Sequence, residues 1–511
     1  MLSTLKISLI RPSTITTAGA VGEDAAPPLG LAYIAAMCRS AGFQVQIIDA
    51  LGEALGEYNR IPDLETGMRH GLSDEQTIKL IDPDTAVIGV SCMFSLEWPF
   101  VKQLIKRIKG VFPDKKIVVG GEHITAIPKY SLLDCPEIDY AVLGEGERTF
   151  LDIMYAISNN KSVGAINGIA YIDKITGEFR KGNEAPRIRQ IKEIPWPAWD
   201  LVPIENYLNN SVMTGVDFGR SMPIMASRGC PYECTFCSNP IMFGRLWKVR
   251  PPEDVVDEIE AYMQKYRATN FDFYDLTAIV KRSWIIKFCE LLKQKKLDIT
   301  WQLPSGTRSE AIDKEVTKLL SETGCKYINY APESGSERVL VSIKKKITKK
   351  NMLKSIKHAA KNGLNVKSNF ILGFPDDEFV DVLKSYIFAM QMALVGAKDV
   401  SFFPFSPYPG SGLFYEAVED GEIVLNDDYF ISLSQYTDPK YAKSYAKNFS
   451  ANRLKYMCLV GMGLFYAVVW LRNPMHLIRT VRQIFSMRGQ NKLSSALVRV
   501  IKKRKEISLV K

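Results

Sequence analysis

Three cysteines, Cys230, Cys234 and Cys237, stand in one short loop, Arg228-Gly-Cys-Pro-Tyr-Glu-Cys-Thr-Phe-Cys-Ser-Asn-Pro240. Four thiolates ordinarily hold a four-iron four-sulfur cluster. Three thiolates on one loop hold three irons and leave the fourth open to a substrate or cofactor, as an open zinc position does. A three-cysteine zinc knuckle is the competing reading of the spacing alone. Further polar residues sit where strands should end. Glu333 lies in Ala331-Pro-Glu-Ser-Gly-Ser-Glu-Arg338, where an acid beside Gly and Ser can accept hydrogen bonds from hydroxyls or an amine. The same segment can cap a helix beginning near Glu337.

The elements that must carry these residues alternate strand and helix. Over the first ~155 residues, apolar strands are expected at 6–10, 45–49, 85–91, 116–121 and 138–143, with helices at 28–42 and 99–111. Continuous apolar strands separated by helices predict a parallel, doubly wound sheet. Ligands on such sheets sit beyond the carboxyl ends of the strands. Three loops there carry suggestive residues: Ser91 with Cys92, Gly120-Gly-Glu-His123, and Gly144-Glu-Gly-Glu147. Each alone also reads as an ordinary tight turn. Residues 156–215 read as a connector with a small hairpin and a proline-stiffened link. Strand–helix alternation resumes at 216–425 with six units, an open version of an α/β barrel whose chemistry belongs at the carboxyl strand ends. A helical, basic C-terminal region is expected over 426–511.

The bulk numbers fit a soluble globular chain: 511 residues, 46% hydrophobic and 24% charged. Six of the nine cysteines are scattered singly and read as buried small hydrophobes rather than a disulfide framework. The opening Met1-Leu-Ser-Thr-Leu-Lys-Ile runs into a strand pattern rather than a signal peptide. A reducing cytoplasm is therefore the expected compartment. The net charge of +10 is uneven. From Ala451 onward there are 13 Lys or Arg and one acid, a net of +12, against −2 for the first 450 residues. Met457 to Leu471 is 15 residues without a charge, short of the ~20 that span a bilayer. Arg472, Arg479, Arg482, Arg488 and Lys502-Lys-Arg-Lys505 follow. The pattern predicts either an interfacial segment attracted to anionic lipid or a helix packed on the barrel with a solvated basic tail. The absence of interleaved aromatics after Phe485 argues against nucleic acid.

The cysteine loop, with Phe236 just before its last cysteine, resembles the signature of the radical S-adenosylmethionine (SAM) superfamily. The resemblance implies a [4Fe-4S] cluster on Cys230, Cys234 and Cys237 whose open iron chelates SAM. It also implies cleavage of SAM to a deoxyadenosyl radical that takes hydrogen from an unactivated carbon. By the same resemblance Phe236, Glu333, Ser334, Gly373 and Phe374 border SAM. Three places depart from the family pattern: Asp376 replaces a glycine after Gly373-Phe-Pro, and Leu276 and Ala278 replace an acid and a phenylalanine after Asp275. Pro407-Tyr-Pro-Gly-Ser411 fits the closing turn. The first ~155 residues resemble the cobalamin-binding domain found ahead of some radical SAM domains. The matching stretches are Pro27-Pro-Leu-Gly-Leu-Ala-Tyr33, Ala41-Gly-Phe with Asp49, Gly120-Gly-Glu-His-Ile-Thr125 and Gly144-Glu-Gly-Glu-Arg-Thr149. They place Ser91, Gly120, Gly121, His123, Gly144 and Gly146 at cobalamin. None of the four histidines, His70, His123, His358 and His476, lies in a D-x-H-x-x-G loop, so no histidine is expected beneath the cobalt.

The resemblance identifies the chain as a cobalamin-dependent radical SAM enzyme, with C-methylation from methylcobalamin as its expected reaction. Two other readings remain: an oxidative cyclase of the anaerobic magnesium-protoporphyrin ester type, acting on a tetrapyrrole or similar apolar substrate, and a cobalamin-free radical SAM enzyme. The expected partners are a small apolar substrate, a flavodoxin- or ferredoxin-type electron donor, and the inner face of a membrane through the tail. No residue is assigned as a catalytic acid or base.

Overall fold

The computed structural model describes residues 5–17, 25–61, 64, 67–210, 215–436, 443–486 and 492–509. Seven strands form the first sheet: β1 (Lys6–Arg11), β2 (Gln44–Asp49), β3 (Thr85–Ser91), β4 (Lys116–Gly120), β5 (Tyr140–Val142), β6 (Ile169–Ile172) and β7 (Phe179–Lys181). Their order is β7-β6-β5-β4-β3-β1-β2, and β1 to β5 are parallel. Helices Leu29–Ser40 and Gly146–Ser158 cover one face, and Trp98–Val111 covers the other. Both faces are therefore dry, which is why β1 and β3 read as unbroken apolar runs. The hairpin expected in the connector, β6 and β7, instead extends this sheet: β6 pairs antiparallel with β5. Outward from the same strand ends lies a small antiparallel sheet of Thr14–Thr17, Tyr58–Arg60 and Gly67–His70. Its threonines and charged residues give no apolar alternation, and sequence reading missed it.

The second unit is a six-stranded, all-parallel sheet: β8 (Ser221–Ile224), β9 (Asn270–Phe273), β10 (Thr300–Thr307), β11 (Cys325–Glu333), β12 (Asn365–Leu372) and β13 (Asp399–Pro404). Spatial order follows chain order throughout, the arrangement of an open barrel. Helices Pro252–Tyr266, Arg282–Lys295, Lys314–Glu322, Lys349–Lys361 and Phe379–Val395 form its outer wall. Their inward residues, such as Ile259, Phe288 and Met392, are fully buried. Burying one such side chain contributes about 1.5–3 kcal/mol.

The C-terminal region divides differently from the expectation. Helix Asp427–Ser432 leaves the barrel and packs on the first domain, where Lys102 pairs with Asp427 at 2.6 Å and Phe430 meets the ring of His123 at 5.3 Å. The uncharged stretch belongs to one 22-residue helix, Ala451–Arg472, long and apolar enough to cross a membrane. It lies on the barrel instead. Leu454, Met457, Cys458, Phe465 and Val469 are buried against β13 and helix Phe379–Val395. The Tyr386 hydroxyl donates to the Met457 carbonyl at 2.6 Å. Gly461 permits the approach, because a Cβ there would sit 2.8 Å from Tyr386 and 2.9 Å from Phe402. Arg488 and the side chains of Lys502 to Lys505 lie outside the described residues.

Candidate functional site

The carboxyl ends of four of the five parallel strands in the first sheet, β1, β3, β4 and β5, open onto one cavity of about 460 Å³, closed from the other side by the barrel domain. The first domain lines it with Leu9 and Arg11 from β1, Ser91 from β3, Gly120 and Gly121 after β4, and Gly144 to Glu147 after β5. The barrel contributes Met225, Arg228, Cys237, Asn239, Phe243 and Leu276. The expected glycines thus converge on one place. Gly121 must be glycine: its φ is +114°, and a Cβ would stand 2.3 Å from the Cys92 carbonyl oxygen. Gly30, at the start of helix Leu29–Ser40, faces the cavity with nothing within 4 Å of a built Cβ.

A buried ion network joins the two domains at this cavity. Arg228, two residues before Cys230, contacts Glu145 at 3.3 Å and Glu147 at 2.5 Å. Lys248 contacts Glu145 at 2.9 Å. All four side chains are at most 5% exposed. The guanidinium also lies over the ring of Tyr33 at 5.1 Å. A second tie runs from Ser238, just after the last cysteine, to Glu122. The sequence marked this motif for its glycines and not for Glu145 and Glu147, because nothing local links it to an arginine some eighty residues away.

The three cysteines occupy the loop after β8, each partly exposed. The Thr277 hydroxyl lies 3.4 Å from the Cys230 sulfur, and the Cys237 N–H donates to the Cys234 carbonyl at 3.1 Å. Burial pushes the Cys237 thiol up to about 12, so a bound cation must displace its proton. Among the described residues no three His, Cys, Asp or Glu side chains are already drawn together around one point.

The residues expected at SAM lie on the barrel side, outside this cavity's lining. Phe236 meets Phe374 at 5.8 Å between ring centres. Glu333 ends β11 with a left-handed φ of +63° and takes an ion pair from Lys345 at 2.9 Å. Ser334 accepts from the Ser336 N–H, within its own turn. At Gly373 and Phe374 the backbone N–H groups are already taken by Asp377, at 2.8 and 3.1 Å. Gly373 also backs onto Leu454 of the C-terminal helix. Nearby, buried atoms of Arg308, Ser309, Asn329 and Asn369 lack a protein partner. This row at β10, β11 and β12 suits a ligand rich in donors and acceptors, as SAM is.

His123 does not lie where the sequence places it. It was expected to face cobalamin, but its ring is fully buried behind β4 and does not line the cavity. It stacks on Trp98 at 4.7 Å and contacts the hydroxyls of Ser95 and Ser131 at 3.0 and 3.2 Å. Burial drives its pKa down to about 3, so it is a neutral core residue. Gly120 and Gly121 turn the chain so that the backbone, not the imidazole, reaches the cavity.

Residues 15–154 match the family model described as the B12 binding domain, and residues 224–386 match that of the Radical SAM superfamily. An uncharacterized methyltransferase of Pyrococcus horikoshii is 30% identical over 90% of this chain and 95% of its own. The cytidylyl-2-hydroxyethylphosphonate methyltransferase of Streptomyces wedmorensis is 31% identical, covering 77% of this chain and 78% of that one. The chain belongs to the cobalamin-dependent radical SAM enzymes. The anaerobic magnesium-protoporphyrin IX monomethyl ester cyclase of Rubrivivax gelatinosus is 26% identical over 79% of this chain and 68% of its own. A solved structure of the cobalamin-dependent SAM radical enzyme OxsB, with aqua-cobalamin and SAM bound, superposes over all of this chain and 80% of that one. Its TM-score is 0.67 at 16% identity, a likeness of fold.

This cobalamin-dependent radical SAM enzyme is a methyltransferase by kinship, with a [4Fe-4S] cluster, SAM and cobalamin as its cofactors. The residues present fit a corrin. Open space stands over Gly30, glycines end the strands, and both amide atoms of buried Asn239 have no protein partner. Asn239 was not foreseen; its place two residues after Cys237 was the available signal.

Proposed function

We propose that the enzyme methylates a carbon of a small, largely apolar molecule held between its two domains. The observation that carries this reading is the shared cavity: the strand-end glycines of the first sheet and the loop of the last cysteine line the same space. Cys230, Cys234 and Cys237 hold the cluster. Phe236, Glu333, Ser334, Gly373 and Phe374 border SAM. Ser91, Gly120, Gly121, Gly144 and Gly146 receive the corrin, with no histidine beneath its metal. When bound, these cofactors supply homolytic removal of a hydrogen and a methyl group to replace it.

The chain's own residues do the positioning. Arg228 holds the base of the cysteine loop against Glu145 and Glu147, so two cofactor sites share one frame. Orientation of this kind supplies a large share of rate enhancement. Met225, Phe243 and Leu276 give the barrel side an apolar wall that excludes water. Leu276 stands where the resemblance expects an acid, which favours an apolar substrate. Protein reduced anaerobically with cobalamin and given SAM alone should form S-adenosylhomocysteine as the cobalamin is methylated. Deoxyadenosine with no S-adenosylhomocysteine would contradict methyl transfer and favour the cyclase reading.

A lipid-surface location suits that substrate and the reducing compartment. Helix Pro474–Phe485 exposes Met475, Ile478, Val481 and Phe485 at helical spacing, beside Arg479 and Arg482. Each cation near an anionic surface contributes about 1 kcal/mol. The full chain should float with anionic liposomes at low salt and stay behind with neutral ones. Equal recovery from both would remove the membrane from the account. A flavodoxin- or ferredoxin-type protein serves as the external reductant.

A further inference from the structure

The barrel carries a second concentration of positive charge, unrelated to the tail. Residues 344–361 contain eight lysines and no acid. Lys345 is drawn inward, where it pairs with Glu333 and stands 5.9 Å from the ring centre of Phe236. Lys349 pairs with Glu337 at 3.1 Å. Lys344, Lys346, Lys350, Lys354, Lys357 and Lys361 are exposed and have no ion pair among the described residues.

This segment is fastened to the cysteine loop. The N–H of Thr235, between Cys234 and Phe236, donates to the Ile343 carbonyl at 3.1 Å. Arg308 donates to the Lys346 carbonyl and lies over the ring of Tyr232, at 3.5 Å, in the same loop. Helix Glu337–Ser342 ends in a paired turn: Lys344 N–H bonds Val341 at 3.1 Å and Lys345 N–H bonds Leu340 at 2.8 Å. Lys344 takes the left-handed conformation there, φ +53°, where glycine is usual. A lysine in that place is strained, because its Cβ crowds the carbonyl that follows. The turn presents it beside Val341, which is 77% exposed.

We infer that this lysine face, edged by Val341, is the docking surface for a small acidic one-electron carrier protein. It rests on the reading of Cys230, Cys234 and Cys237 as the cluster ligands. The carrier loses one electron and the cluster gains one; no atom or proton need cross. The charge is complementary to such a carrier, and it adjoins the loop through which the electron must enter. Electrostatic steering raises association rates by about 10- to 1,000-fold and weakens with salt. Transient redox contacts are small, so a patch of this extent suffices. A nucleic acid fits less well, since no large aromatic is exposed between 344 and 361 for base stacking.

The test is deoxyadenosine formation from SAM by the full-length holoenzyme with two reductants. One is a reduced bacterial flavodoxin, the other titanium(III) citrate. In a Lys344→Glu/Lys346→Glu/Lys350→Glu variant, the flavodoxin-supported rate should fall at least about 10-fold at low salt. The titanium-supported rate should match the parent's. A flavodoxin rate that survives the three reversals overturns the proposal. So does an equal fall with both reductants, which would assign the lysines to substrate or to folding. A parent enzyme silent with titanium(III) citrate would overturn the cluster reading itself, and the docking surface with it.

Discussion

Gly30 offers a perturbation that separates cofactor binding from folding. It is the second residue of helix Leu29–Ser40, its φ is ordinary, and a Cβ built on it meets no atom within 4 Å. Glycine in a helix costs about 0.5–1 kcal/mol relative to alanine, and leucine is nearly as good a helix former as alanine. Gly30→Leu should therefore leave the fold as stable as the parent or slightly more so. Its side chain projects into the space assigned to the corrin. Unrelieved overpacking costs about 1–3 kcal/mol, and each 1.4 kcal/mol is tenfold in affinity. Cobalamin affinity should thus fall roughly 5- to 150-fold. Titration of the anaerobic apoprotein with hydroxocobalamin, followed by visible absorption, measures it; a urea melt measures stability. Unchanged affinity in a well-folded variant would show that the corrin does not lie over the strand ends.

Arg228→Met should destabilise the protein by about 3–5 kcal/mol, because Glu147 loses its ion pair while buried. Arg39→Ala, which breaks a half-exposed pair with Asp200, should cost under about 1 kcal/mol; similar urea midpoints for the two variants would refute the ranking. Burial raises Asp377 from 3.8 to about 6, against the pull of hydrogen bonds from Gly373 and Phe374. The folded state then holds that proton more tightly than the unfolded chain, so this group's contribution falls by about 2 kcal/mol as pH rises from 4 to 6, and by about 3 kcal/mol in all between pH 3 and 7. Asp377→Asn should remove that slope from urea melts taken across the window, and a variant with the parental slope would refute it. Gly461→Val should strain the helix Ala451–Arg472 against Tyr386 and Phe402 by about 1–3 kcal/mol. Faster proteolytic trimming of the tail, with the barrel intact, is the expected readout.

Much of the architecture was legible because each parallel strand is buried on both faces. Strands such as Val87 to Val90 and Ile117 to Val119 announce themselves as apolar runs, and helices such as Leu29–Ser40, Pro252–Tyr266 and Lys349–Lys361 are followed by the left-handed Gly42, Arg267 and Gly363. The cysteine loop was legible because its chemistry is local. What escaped the sequence is non-local or ambiguous in period. The Arg228 network joins residues far apart in the chain. The hairpin β6–β7 carries no mark of the sheet it joins. His123 sits in a loop whose glycines do reach the cavity, and only the turn at Gly121 sends the imidazole the other way. The helix Ala451–Arg472 is apolar on most of its circumference, so composition alone could not choose between lipid and the barrel. Gly461 and Leu454 fit the barrel surface, while Leu459, Val460 and Leu464 stay exposed on the outer side.

On the proposed reading, a cluster on the cysteine loop and a cobalamin over the first sheet coexist in one chain. Anaerobically purified, reconstituted protein should contain one [4Fe-4S] cluster and one cobalamin. Electron paramagnetic resonance of its cob(II)alamin form should lack nitrogen splitting from a protein histidine, and alanine at Cys230, Cys234 and Cys237 should remove the iron and leave the cobalamin signal. Iron retained by that triple variant, or a cobalamin signal whose nitrogen splitting disappears in His123→Ala, would contradict the account.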